Sequence, residues 1–170
     1  MIQKILAVDP GNTESAYVML NEDYTISNRC FYKFQNDTVL KSIKDYGSIL
    51  GPDLQVVIEM VASYGMSVGK EVFDTCVWIG RFAQAAMDAG CPVSYVYRME
   101  EKMALCHNSR AKDSNIRQAL IDRFARFDKK YGKGTKTHPD VFFGFKADLW
   151  AAFAVGVTWL DKHRGESHGE

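Results

Sequence analysis

The sequence carries no net charge: 21 Lys and Arg balance 21 Asp and Glu over 170 residues. A zero average gives no bulk reason to expect a nucleic acid or an acidic surface as partner. Cysteine is scarce, with four residues and no Cys-x-x-Cys spacing, which excludes zinc-ribbon and thioredoxin-type frameworks. Cys30, Cys76, Cys91 and Cys106 each sit in or beside an apolar stretch and read as small, reduced core residues of a cytoplasmic protein. No apolar run reaches the ~20 residues a membrane helix needs; the longest late one, Leu149 to Leu160, is bounded by Asp148 and Asp161. The chain opens directly on a strand-like run, without the charged and apolar regions of a secretory signal, so none is expected. No internal repeat or linker is present, and 46% hydrophobic residues exclude a disordered chain. One domain with a sizeable core remains.

The neutral average hides two opposite regions. Residues 98–136 hold eleven Lys and Arg against five acids, a surplus of +6, so the remainder sums to −6. Such a run is commonly a solvated pair of helix faces, and it is also what a phosphate-binding surface requires. Short β-rich runs between turn residues predict strands at 2–9, 14–20 and 24–34, joined at Pro10-Gly11-Asn12 and Asn21-Glu22-Asp23. Helical spacing from Thr38 to Leu50 stops at Gly51-Pro52, and Leu54 to Met60 returns as a strand parallel to the first. After a Gly/Ser loop at 61–70, Glu71 to Ala89 forms a long helix closed by Gly90, Pro92 to Tyr97 a fifth strand, and Arg98 to Cys106 a short helix. Asp113 or Ser114 caps an amphipathic helix from Asn115 to Phe127, and 129–140 reads as a mobile basic loop. A last helix runs from about Lys146 to His163. The expected domain is 1–163, with a disordered tail at 164–170.

Two of the apolar runs end in a carboxylate. Ile5-Leu6-Ala7-Val8 closes on Asp9, followed by Pro10-Gly11-Asn12-Thr13, and Val56-Val57-Ile58 closes on Glu59. Buried parallel strands read as continuous aliphatic stretches, and acids at their carboxyl ends face the crevice where open α/β sheets place their chemistry. Asp9 alone is an ordinary turn opener and Asp148 alone an ordinary helix cap. Glu59 is neither, since a carboxylate closing Val-Val-Ile is poorly solvated without a cation.

The order β-β-β-α-β-α-β-α-α, with acids at Asp9, Glu59 and Asp148, resembles the RNase H-like nucleases and most closely the RuvC-type Holliday-junction resolvases, over nearly the whole chain. Ile5-Leu-Ala-Val-Asp9-Pro-Gly looks like that family's first motif and Val57-Ile58-Glu59-Met60-Val61 like its second. Lys102 through Asp113 is similar in spacing to its lysine, loop and Arg-Ala-x-Lys stretch, and Ala147-Asp148 with Ala151-Ala152-Phe153-Ala154 to its last motif. The resemblance implies an α/β fold with a mixed five-stranded sheet, three antiparallel N-terminal strands and two more parallel to the first, flanked by helices. It implies Asp9, Glu59 and Asp148 as catalytic ligands of two Mg²⁺ or Mn²⁺ ions, with Asp9 bridging, and no organic cofactor. It also implies branched DNA as partner, contacted by Lys102, Arg110 and Lys112 through phosphates and by Tyr64 through stacking. Lys129, Lys130, Lys133 and Lys136 would add a flexible electrostatic arm. The apolar surplus of helix 71–90 points to a homodimer.

The family usually carries two ligands three residues apart in its last motif, where this chain has Phe145 or Ala151, leaving Asp140 and His138 as candidates for a fourth ligand. The family's glycines between Lys102 and Arg110 are replaced by His107 and Ser109. Other readings stay open: a branched-DNA-binding member that does not cut, a nuclease acting on flaps or RNA–DNA hybrids, and an actin- or sugar-kinase-like phosphotransferase, whose Asp-x-Gly-x-Thr signature Asp9-Pro-Gly-Asn-Thr13 also resembles. Such phosphotransferases need a second domain and a second phosphate loop, which this length does not hold. The compact format is similar to bacteriophage members of the resolvase family, which would work in the host cytoplasm.

Overall fold

The computed structural model describes residues 4–166. Three strands, β1 (Lys4–Asp9), β2 (Glu14–Asn21) and β3 (Ile26–Gln35), form an antiparallel meander, followed by helix α1 (Asn36–Leu50) and a single 3₁₀ turn at Gly51–Asp53. Strand β4 (Leu54–Met60), helix α2 (Lys70–Asp88), strand β5 (Val93–Tyr97), and helices α3 (Arg98–Cys106), α4 (Asp113–Phe124) and α5 (Ala147–Glu166) complete the chain. The sheet order is β3-β2-β1-β4-β5, with β4 parallel to both β1 and β5. This is the mixed five-stranded arrangement expected from the sequence.

The central strands are uninterrupted aliphatic runs because both sheet faces are covered. Alternate residues of β1 divide between two cores: Ile5 and Ala7 pack with α4 and α5, Leu6 and Val8 with α1 and α2. Helix α5 lies against β1 and β2 at close range. A Cβ at Gly156 would stand 2.5 Å from Leu20 Cδ1 and 3.0 Å from Ala7 Cβ, so the contact requires a residue without a side chain. Beside it, Phe142, Phe145, Trp150 and Phe153 form an aromatic cluster with ring centroids 4.4–5.9 Å apart.

Three expectations change. Helix α4 begins at Asp113, its start fixed earlier by the Lys112 backbone N–H donating to Asn115 Oδ1 at 2.8 Å, and it ends at Phe124. Helix α5 continues to Glu166, so 164–166 are helical; 167–170 of the expected tail, like residues 2–3 of the first strand, lie outside the described residues. The segment 129–140 is an ordered loop, described below. Among the described residues no helix is long and apolar enough to cross a membrane.

Candidate active site

Parallel pairing of β1 with β4 delivers the first two acids. The strands are in register through Val8↔Ile58, and Asp9 and Glu59 each follow that pair by one residue, so both emerge at the carboxyl end of the sheet. The turn after Asp9 is fixed by side chains. The Gly11 N–H donates to Ser15 Oγ at 3.0 Å, the Ser15 hydroxyl donates to Asn36 Oδ1 at 2.6 Å, and Asn36 Nδ2 donates back to the Gly11 carbonyl at 2.9 Å. A Cβ on Gly11 would fall 2.2 Å from the Glu14 carbonyl oxygen, so this turn admits only glycine.

Asp9 and Glu59 open into a cavity of about 320 Å³ whose lining includes Arg98, Asp113, Arg117 and Asp148. Desolvation, and then the Glu59 charge, push the Asp9 carboxyl up to about 9, and burial raises Glu59 as well. The two carboxyls therefore share a proton where the chain supplies no cation between them. Behind Glu59, Glu101 of α3 is fully buried. Its Oε2 accepts from Arg98 Nη1 at 2.6 Å while Oε1 has no partner. Burial, then the Glu59 charge, raise it to about 9. Arg98 also donates to Asp113, the first residue of α4, so one guanidinium joins the starts of α3 and α4 at the cavity wall.

Asp148 enters from the first turn of α5. Its charge reaches Asp9, yet its Oδ2 is 2.6 Å from Lys33 Nζ, which is also 3.4 Å from Glu14. Among the described residues no three Asp, Glu, His or Cys side chains already converge on one ion position. The donor set nevertheless suits a hard divalent cation: carboxylate oxygens only, two of them raised in proton affinity by burial. Asp9 and Glu59 would hold such an ion, with Asp148 joining once Lys33 releases it.

The structure brings Asp9, Glu59 and Asp148 to one cavity, while Lys102, Arg110, Lys112 and Tyr64 lie outside its lining. Tyr64 is 58% exposed in the segment after β4. Asp140 is not available as a fourth ligand. Its carboxylate accepts the backbone N–H groups of Arg126, Phe127, Asp128 and Val141 at 2.8–3.1 Å and is turned into the loop. Desolvation works against ionisation there, but these four donors hold the group down at about 2. His138 is exposed on the same loop against Phe127. The acid that does reach the cavity is Asp113. Sequence reasoning missed Arg98, Glu101, Asp113 and Arg117 as lining or supporting groups; the i,i+3 pair Arg98 and Glu101 was the available signal.

Nor is the basic segment a free arm. Asp128 accepts the N–H groups of Lys130, Tyr131, Lys133 and Gly134 at 2.9–3.3 Å, and Lys129 Nζ donates to the Asp122 and Ala125 carbonyls at the end of α4. Two aspartates thus tie down one loop through backbone donors.

A sheet of this order with acids at the ends of β1 and β4 and on α5 is the RNase H-like α/β fold. More narrowly, it is the fold of RuvC: Thermus thermophilus RuvC superposes with a TM-score of 0.61 over 96% of this chain and 97% of that one at 14% identity. T. thermophilus RuvC in complex with Holliday junction substrate gives 0.63, covering 96% of each chain, again at 14% identity. No protein-family model and no curated protein sequence matches the chain.

Proposed function

We propose that the protein is a metal-dependent endonuclease that cleaves branched DNA, four-way junctions foremost. The observation that carries this reading is the meeting of Asp9 and Glu59 from parallel strands with Asp148 from α5 over one cavity, on a fold shared along its length with RuvC, one structure of which holds a Holliday junction substrate. Two Mg²⁺ or Mn²⁺ ions, when bound, supply an activated water and stabilise the leaving 3′ oxygen. The chain's own part is positional and electrostatic. Asp9 and Glu59 give up their shared proton and present oxygens at the sheet end, and Asp148 leaves Lys33 to complete the set. Arg117 faces the same cavity and is a group able to meet the phosphodiester's non-bridging oxygens, Arg98 being paired with Glu101 and Asp113, while Ile116, Trp150 and Ala151 supply an apolar wall.

Two active sites acting on symmetric strands require two copies. The outer face of α2 offers Phe73 and Val77, 61% and 62% exposed, an apolar surface suited to a homodimer.

A second reading, a branched-DNA-binding protein that does not cut, is favoured by the Lys33–Asp148 pair, which withholds one ligand. Labelled four-way junction, flap, duplex and RNA–DNA hybrid substrates, each with Mg²⁺, Mn²⁺ or chelator, separate the two. Paired symmetric nicks in the junction, lost with chelator and with Asp9→Asn, support the nuclease. Tight junction binding with no nicks under any metal supports the second reading, and absence of both overturns each.

A further inference from the structure

A second cavity, about 400 Å³, adjoins the first and shares Arg117 and Trp150 with it. Its lining comes from α4, the 129–140 loop and Trp150 of α5, and it differs in kind: Arg117, Lys130 and Lys133 bring three positive charges, Tyr131 and Trp150 bring aromatic surface, and no carboxylate lines it among the described residues. Tyr131 is 59% exposed with Lys130 Nζ 4.9 Å from its ring centroid, and the Arg117 guanidinium lies 5.4 Å from the Trp150 ring. Cations interleaved with an exposed aromatic are the elements of a single-strand track, in which charges follow phosphates and a ring stacks a base.

The loop is built to hold that arrangement. Asp128 gathers four backbone N–H groups from Lys130 to Gly134, Asp140 gathers four more from Arg126 to Val141, the Gly132 carbonyl accepts the Phe142 N–H at 2.9 Å, and the Lys133 carbonyl accepts the Asp140 N–H at 2.9 Å. Lys130, Tyr131 and Lys133 therefore stand on a fixed backbone, and docking a strand requires little ordering of the protein.

We propose that this groove is a DNA-strand subsite: it takes the nucleotides adjoining the phosphate that lies over Asp9 and Glu59, with Arg117, Lys130 and Lys133 meeting their phosphates and Tyr131 stacking one unpaired base. The inference rests on the nuclease reading and adds to it where the strand runs next and why an opened, branched substrate is preferred over intact duplex. Arg117, common to both cavities, marks the direction of the strand out of the pocket.

The test uses the full chain in an Asp9→Asn background, which separates binding from cleavage. Affinity for a four-way junction and for a short single-stranded DNA is read by fluorescence anisotropy across a salt series, comparing Lys130→Ala/Lys133→Ala, Tyr131→Ala and Tyr131→Phe. The double lysine variant is expected to flatten the slope of log K against log salt by about 1.5–2, the removal of two phosphate contacts. Tyr131→Ala is expected to weaken binding roughly tenfold, with Tyr131→Phe retaining affinity, since stacking needs the ring and not the hydroxyl. With the native Asp9, the lysine changes should raise KM and leave kcat near its starting value. Unchanged affinity and slope in a protein that does cut junctions overturns the groove and leaves the nuclease standing. A native chain that neither binds nor cuts DNA overturns both.

Discussion

The cavity at the sheet end and the loop beside it both hold aspartates, and the fold drives those aspartates in opposite directions. At the sheet end, Asp9 faces Glu59 across the proton they share and is pushed up to about 9 by burial and by that charge. In the loop, burial again opposes ionisation, but four backbone N–H groups converge on Asp140 and hold it at about 2. The first arrangement favours the protonated acid; the second favours the charged one. An acid that waits for a ligand and an acid that staples a loop are told apart by where the backbone N–H groups point.

The largest effect that can break this contrast is on cleavage. Asp9→Asn should reduce junction cleavage by on the order of a thousandfold, comparable with loss of a group that stabilises the transition state, while junction affinity is kept. A variant that still cuts at more than a tenth of the native rate would remove Asp9 from the site.

Next is stability. Asp140→Ala should cost at least about 3 kcal/mol, because several N–H groups lose a charged acceptor at once, and should lower Tm by roughly 6–12 °C. Since Asp140 is depressed in the native state, its contribution is present above its unfolded pKa of 3.8 and is lost as pH falls toward about 2. Acid unfolding followed by circular dichroism should show the native protein losing that stability below pH 4 and Asp140→Ala lacking the step.

Asp9 gives the reverse sign. Its native carboxyl binds its proton more tightly than the unfolded chain does, so in chelator stability should decline as pH rises from about 4 toward 9. Mg²⁺ should recover stability at neutral pH by binding the native state only. Asp9→Asn should be the more stable protein in chelator and respond less to Mg²⁺. Thermal melts at pH 5 and pH 8, with and without Mg²⁺, read all three; a flat pH dependence in chelator would reject the paired-carboxyl account.

The smallest effect sharpens the comparison at Lys33. The pair with Asp148 is about half exposed, so Lys33→Gln should change stability by less than ~1 kcal/mol. It should still lower the Mg²⁺ concentration needed for half-maximal cleavage, because Asp148 no longer has to be released.

The parts of this site legible in the sequence were those encoded within one element. Val8-Asp9 and Ile58-Glu59 each state an apolar strand and its terminal acid, and their pairing follows from a parallel crossover. Asp148, a turn into an alanine-rich helix, was readable in the same way. Arg98, Glu101 and Asp113 were not, because their meeting depends on the angle at which α3 and α4 start, fifteen residues apart for Arg98 and Asp113. The character of 129–140 was misread for a related reason: Lys, Gly and Thr announce mobility by composition, whereas order here comes from Asp128 and Asp140 collecting amide hydrogens that no residue pattern displays.

Gly156 sits eight residues beyond Asp148 on α5, about 12 Å along the helix axis. With Leu20 and Ala7 filling the space where its side chain would be, the helix rests on a fulcrum. An added methyl group there would tilt the far end and swing Asp148 through an arc, although nothing at the cavity had been altered. The accuracy of this acid's placement is therefore set in the hydrophobic interior, where Leu20 and Ala7 leave Gly156 no room for a side chain.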